Sequence, residues 1–334
     1  MKTNTHGPFR ILTLLAKKAR KPTLLAKKVS FVHMSTAYVG SCNPSGTRVM
    51  EKLPHVNIDP EVMEKLPHVN IDPEVLIEKL KTMTQEEILA ATPGWIGTHQ
   101  NTYTFSKSLG EILIERHRGN IPVAIVRRSI IVNAIADPSP HLAPPLEQVA
   151  IVRPSIIVNA IADPEPGWIE NLSGASAVAL YASLGRCPVV EAQFDMRLDV
   201  IPVDFVTNNT IAAAWELQTV EDKFKIYHPT SSTLNPVTIR QISESVIRFI
   251  RIFPSRKAFF RPSMSMATSE RQFNIIRIKK LAAWGFKARH ESLYFASNEW
   301  LYDASNVLGL HSKLSRRDRE ILPVDPSAVQ CRYA

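Results

Sequence analysis

The sequence predicts an α/β fold, a doubly wound parallel sheet up to about residue 235 followed by a small helical domain. Three observations predict it. Short β-branched runs recur at residues 29–34, 123–126, 199–203 and 225–227. Helical patterns with capping signals fill the interval between the first two runs. After about residue 236 helical patterns dominate, at 237–253 and 275–284, and strand signals end.

Taken in order, residues 29–34 (VSFVHM) read as a buried strand that ends on the polar step Ser35-Thr36. Asp72-Pro73-Glu74 opens a helix: aspartate caps, proline sits in the first turn and glutamate favours the positive end of the dipole. Val75, Leu76, Leu80 and Met83 continue it at helical spacing. Thr84 with Glu87 has the pattern of a capping box. A third helix runs from about Asn101 to His117, with Phe105, Leu109, Ile112 and Leu113 on one side and Gly119 as its terminating residue. Gly94 and Gly97 follow Thr92-Pro93 and read as a loop. A strand at 123–126 comes next, a strand at 199–203 leads into a helix through Ile211 to Leu217, and a last strand spans 225–227.

Composition narrows the class. Of 334 residues, 45% are hydrophobic and 21% charged, the balance of an ordinary folded domain. The three cysteines, Cys42, Cys187 and Cys331, form no Cys-x-x-Cys pair, which excludes a disulfide scaffold and argues against structural zinc. No apolar run reaches the roughly 18 residues of a membrane span. His55 and His68 are repeat copies with no carboxylate or cysteine at ligand spacing, so no metal site is expected. The net charge of +9 is uneven. Residues 1–50 hold no aspartate or glutamate, and residues 240–290 oppose many Arg and Lys with Glu244 and Glu270 alone. Such blocks attract phosphate, anionic lipid or nucleic acid, or simply form a solvated face; an acid-free basic start also resembles a transit peptide. A nucleic-acid partner rests on charge alone and is not expected.

Three duplications interrupt the chain. Residues 13–18 recur at 23–28, residues 50–62 recur unchanged at 63–75, and residues 123–140 recur at 149–166 with Arg128 replaced by Pro154 and Ser139 by Glu165. Three different periods with two copies each exclude a solenoid. A slot in a sheet accepts one strand, so one copy of each pair must lie elsewhere. Of 123–126 and 149–152, the second is expected beside the 29–34 strand, because it alone continues through Arg153-Pro154-Ser155 into Gly167-Trp168.

The segment that carries chemistry is Tyr103-Thr104-Phe105-Ser106-Lys107. Residues four apart share a helix face. A cation one turn from a phenol stabilises the phenolate, and such a phenol serves as a proton donor near neutral pH. The bland alternative is an exposed tyrosine packed on a lysine stem. Ser35-Thr36 stands at the end of the preceding strand, where open α/β sheets place their ligand sites, and a hydroxyl there can bond the substrate oxygen that the tyrosine protonates.

These segments resemble the fatty acyl-CoA reductases, a branch of the extended short-chain dehydrogenase/reductases with a Rossmann-like sheet. Residues 31–38 (FVHMSTAY) resemble that family's motif around its active-site hydroxyl, and Tyr103 to Lys107 with Gly110-Glu111 resembles its YTxxKxxxE segment. Residues 151–156, 165–172, 199–204 and 227–236 are similar to its later segments, and 298–307 with Asp318 onward to its C-terminal helical domain. The resemblance implies an oxidoreductase of lipid metabolism, NADPH-dependent, which reduces a long-chain fatty acyl-CoA through an aldehyde to a primary fatty alcohol. It implies Tyr103 as proton donor and Lys107 as the residue that assists Tyr103 and binds the nicotinamide ribose. Thr36 is the first choice of hydroxyl partner, with Ser35 second, and Pro154, Ser155 and Ile156 lie along the nicotinamide. It also implies a basic N-terminal segment at 1–28, a partial cofactor-binding domain at 29–235 and a helical domain at 236–334, with an association at the endoplasmic reticulum or peroxisome membrane surface.

The chain departs from the family at its start. No G-x-x-G-x-x-G occurs, and those glycines let a backbone approach a pyrophosphate. The family's first four strands have no counterpart, so the sheet is expected to be incomplete. Two functional readings follow, the family's reductase or a non-catalytic remnant, and the departure predicts that the chain as it stands does not bind NADPH at micromolar concentration and is poorly soluble through an uncovered strand edge.

Overall fold

The computed structural model describes residues 5, 7–19, 30–53, 55–56, 68–69, 71–128, 130–132, 174–187, 189–219, 224–258, 260–261, 264–279 and 297–328. Its first elements are α1 (Gly7–Ala19), β1 (Phe31–Thr36), a 3-10 turn (Ala37–Cys42) and the short strands β2 (Arg48–Val49), β3 (His55–Val56) and β4 (His68–Val69). Three helices follow, α2 (Pro73–Thr82), α3 (Gln85–Ile96) and α4 (Thr102–His117), and then β5 (Val123–Arg128) and β6 (Ile130–Val132). Next come α5 (Gly174–Ser183), β7 (Val189–Glu191), β8 (Arg197–Leu198), β9 (Val200–Pro202), α6 (Val203–Thr219) and β10 (Phe224–Tyr227). The last part holds β11 (Val237–Thr238), α7 (Ile239–Ile252), β12 (Ser265–Ala267), α8 (Glu270–Lys279), β13 (Leu301–Tyr302), α9 (Ser305–Lys313) and α10 (Arg316–Ile321).

The central sheet is parallel, with β5 between β1 and β10. Parallel strands are buried on both faces. One face packs Phe31, Val123, Ile125 and Ile226 against Leu12 of α1 and Ile114 of α4. The other packs Met34, Ala124, Val126 and Tyr227 against Phe205, Ala212 and Leu217 of α6 and Val307 and Leu310 of α9. This second core draws residues from both sides of residue 236. Strands also continue beyond that point, contrary to the sequence expectation. They are two or three residues long, too short for a period-2 signal, and each pairs back onto an earlier segment: β11 on β8, β12 on β7, β13 on β2.

The strand beside β1 is the first copy of its duplication, not the second. Two physical terms favour it. Five residues (118–122) join α4 to β5, whereas the second copy would need a connection of residues 118–148. On loop-closure entropy alone the longer path costs about 1.6 kcal/mol more. The last rung of the β1 ladder also pairs Arg128 with Thr36, and the second copy would place Pro154, which has no N–H to give, at that rung. The second copy, with Pro154, Ser155 and Ile156, lies outside the described residues. In the 50–62 and 63–75 pair the two copies meet each other: His55 pairs with His68 and Val56 with Val69, away from the central sheet.

The basic N-terminus holds a helix, and its Leu12 is fully buried on the sheet. Gly94 is helical rather than part of a loop: α3 passes through Pro93 to Ile96 and ends at Gly97, whose φ of 61° suits glycine. The capping box at Thr84 and Glu87 starts this helix. The packing of Trp95 and Ile96 against Leu76, Phe105 and Leu109 holds its last turn despite the proline.

Candidate active site

The predicted proton donor and its lysine stand on α4, which Asn101 caps by accepting from the Thr104 N–H at 2.9 Å. From Thr104 to Ile114 every residue of α4 is buried, so the helix is fixed along its length. Lys107 is 8% exposed and donates from Nζ to the Met34 carbonyl of β1 at 3.2 Å. That bond joins α4 to the carboxyl end of the strand. Side chains of a strand alternate between faces. Phe31 packs with Ile114 of α4, and His33, stacked on Phe31 with ring centroids 6.5 Å apart, follows it. The same alternation puts Ser35 on the face that α4 covers and Thr36 on the other. Thr36 is used locally, where its Oγ1 accepts from the Tyr38 N–H at the start of the 3-10 turn. Ser35 Oγ, His33 Nε2 and Ser108 Oγ are buried with no hydrogen-bond partner among the described residues. Burial, and then the charge of Lys107, push the His33 imidazole down to about 3, so it is neutral at physiological pH.

Tyr103 stands one helical turn before Lys107 on α4. With Leu76 and Leu80 of α2, Ile88, Thr92 and Trp95 of α3, and Phe105 it lines a half-open cleft of about 250 Å³. The cleft walls are held by polar ties at the far end of α4, where Arg116 meets Asp72, the cap of α2, at 2.6 Å and His117 meets Glu74 at 2.5 Å. The structure therefore joins Lys107 to the strand end beside Ser35 and places Tyr103, one helical turn earlier, among the residues that line an apolar cleft.

Sequence reasoning missed a buried polar cluster at the carboxyl ends of β1, β5 and β10. Arg127, in register with Ser35, makes a forked bond to Glu111 of α4: Nε at 3.0 Å from Oε1 and Nη2 at 2.5 Å from Oε2. Their side chains are 2% and 0% exposed. Arg127 Nη1 lies 3.2 Å from Nε2 of His228. A guanidinium only donates, so Nε2 accepts and the ring proton sits on Nδ1. Burial and the Arg127 charge hold this imidazole well below its usual pKa, in the neutral form that the bond requires. Half of the signal is in the sequence: Glu111 belongs to the motif around Tyr103, but its partner Arg127 lies on the first strand copy, where the sequence favours the second.

Glu51 extends the cluster. Its carboxylate accepts from the His228 N–H at 2.7 Å and from the Asn306 N–H at 2.6 Å. Ala304, at the cap position of α9, offers no side-chain acceptor, and Glu51 takes that role from a distant part of the chain. Burial pushes the Glu51 carboxyl up to about 7; the two backbone N–H groups oppose this, Asp303 adds to it and Arg127 opposes it. A carboxyl raised in the folded state contributes stability below its unfolded pKa near 4.5 and loses it as pH rises through about 7. Between pH 5 and pH 8 the wild type should therefore lose stability relative to Glu51→Gln. The relative loss is on the order of 3 kcal/mol at most, since each tenfold change in acidity is about 1.4 kcal/mol. Urea unfolding of both proteins across that range measures it, and parallel pH profiles would show that Glu51 stays ionised.

The family model for the NAD-binding part of male sterility proteins matches residues 1–144 and 146–210, more than half of the chain. The chain belongs to the fatty acyl-CoA reductase (male sterility protein) family. It is 30% identical to fatty acyl-CoA reductase 2 of Mus musculus over 325 residues, covering 90% of this chain and 55% of that protein. It is 28% identical to fatty acyl-CoA reductase 1 of Xenopus laevis over 340 residues, covering 95% of this chain and 57% of that protein. The chain thus spans about half the length of the curated relatives it matches. Among solved structures it is similar to the terminal R domain of the myxalamid biosynthetic pathway, with 14% identity and a TM-score of 0.44, covering 86% of this chain and 53% of that one.

A nicotinamide dinucleotide is the cofactor this family implies, and its two ends fare differently. The buried Lys107 and the orphaned Ser35 Oγ at the end of β1 suit the nicotinamide end. For the pyrophosphate, no strand, glycine turn and helix in succession occurs among the described residues; the turn after β1 holds Gly40, whose backbone is packed against the Val49 side chain.

Proposed function

We propose that this chain acts in the NADPH-dependent reduction of a long-chain fatty acyl-CoA to a primary fatty alcohol, at the surface of the endoplasmic reticulum or of a peroxisome. The observation that carries the proposal is the family match across residues 1–210, which contains both the Tyr103 helix and the β1 strand end. A bound nicotinamide would supply hydride. The chain's own residues would supply the rest. Tyr103 donates its phenolic proton to the carbonyl oxygen that hydride addition makes basic. Lys107, held at Met34 O, positions that end of the site. Ser35 is the hydroxyl partner of choice over Thr36, because it lies on the α4 face. The cleft beside Tyr103, lined by Leu76, Leu80, Ile88 and Trp95, takes the first part of the acyl chain.

The test is direct. Purified protein supplied with NADPH and palmitoyl-CoA should release hexadecanol and free CoA thiol. Thr92→Phe, which fills the cleft from α3, should raise the KM for palmitoyl-CoA at least tenfold and leave that for butyryl-CoA within about twofold. Equal effects on both substrates would remove the acyl chain from this cleft. NADPH binding too weak to titrate, with no alcohol formed, would favour the non-catalytic remnant.

A further inference from the structure

We infer that the end of α7 and the segment after it form a docking face for an anionic lipid bilayer. Val246 and Ile250 seat α7 against Ala182 of α5 and Cys187. The apolar arc of α7 is wider than this contact covers. Phe249, Ile252 and Phe253 are 62%, 60% and 64% exposed, and Phe260 beyond the helix is 69% exposed. Phe249 and Phe253 lie side by side, with ring centroids 5.0 Å apart. The segment is held in place, not trailing: the backbone of Phe260 lies against Gly185, where no side chain would fit, and Met264 packs back beside Ile250.

Charge identifies the occupant. Arg248, Arg251, Arg256, Lys257 and Arg261 are all exposed around these apolar groups. No acidic residue occurs between Glu244 and Glu270. A second copy of the chain would bring the same five cations against themselves. A soluble anion such as a phosphate needs no phenylalanines. A bilayer with acidic headgroups satisfies both features, because apolar side chains enter the headgroup and acyl boundary while basic ones meet lipid phosphates. Each basic side chain near such a surface strengthens binding roughly fivefold. The inference does not rest on the reductase reading, since binding is measured with neither substrate nor cofactor.

Co-sedimentation of the full chain with vesicles tests it. The chain should bind vesicles of phosphatidylcholine with roughly 30% phosphatidylserine at least tenfold more tightly than vesicles of phosphatidylcholine alone, and raised salt should weaken the binding. Phe249→Ser with Phe253→Ser, and separately Arg251→Glu with Arg256→Glu, should each weaken binding at least tenfold. Their far-UV circular dichroism and thermal midpoints should stay those of the wild type, since the residues replaced are exposed. Undiminished binding by both variants would overturn the assignment. So would absence of vesicle binding, whether the chain instead bound a single-stranded oligonucleotide or self-associated through this face.

Discussion

Replacing Arg127 with leucine is expected to lower the free energy of unfolding by about 3–5 kcal/mol, the usual loss when one partner of a buried ion pair is removed. The reason lies in what remains. Glu111 is fully buried, and its carboxylate would lose all three bonds from the guanidinium. The lone pair of His228 Nε2 would lose its donor too. Removing both charges leaves no uncompensated carboxylate, so Arg127→Leu combined with Glu111→Leu should be more stable than Arg127→Leu alone. Urea unfolding of the wild type, both single variants and the double variant completes the cycle. Purely additive losses would mean that the pair contributes nothing beyond its packing.

Tyr103→Phe should lower kcat by about 10²–10⁴, the range for a positioned proton donor, in the palmitoyl-CoA assay. KM should change little, because the phenylalanine ring still lines the cleft with Leu76 and Trp95 and only the hydroxyl is lost. Lys107→Met should also lower kcat. Its Nζ bond to Met34 O ties α4 to β1, so this variant should lose stability as well, whereas Tyr103→Phe should not. Near-normal turnover by Tyr103→Phe would remove that residue from the mechanism.

The local signals in the sequence were legible because they are short-range. Asp72 does cap α2, Thr84 and Glu87 do form a capping box, and Asn101 caps the helix of Tyr103 and Lys107. The strand at Phe31–Thr36 and the one at Phe224–Tyr227 lie within two residues of where β-branched patterning placed them. What sequence left open depends on distant partners. Which duplicated strand enters the sheet turns on loop closure and on one proline. Which of Ser35 and Thr36 faces α4 turns on the pleat of β1, and that is readable only once Phe31 is known to meet Ile114. The Arg127, Glu111, His228 and Glu51 cluster brings together residues from four separate segments, and no periodicity announces it.

The same distance has a bearing on how the molecule assembles. Arg48 meets Asp303, Asn43 accepts from Trp300, and Glu51 caps the helix at Ser305, in each case across some 255 residues of chain. Contacts that close so long a loop form late in folding and slow it. During synthesis the groove around Val49 leaves the ribosome hundreds of residues before the Trp300 and Tyr302 side chains that fill it. Until residues 300–306 emerge, that groove, and the acceptor at Glu51 that waits for a helix not yet made, are open to chaperones and to misassociation. The packing around Val49 is thus completed only when a segment some 250 residues further along the chain arrives.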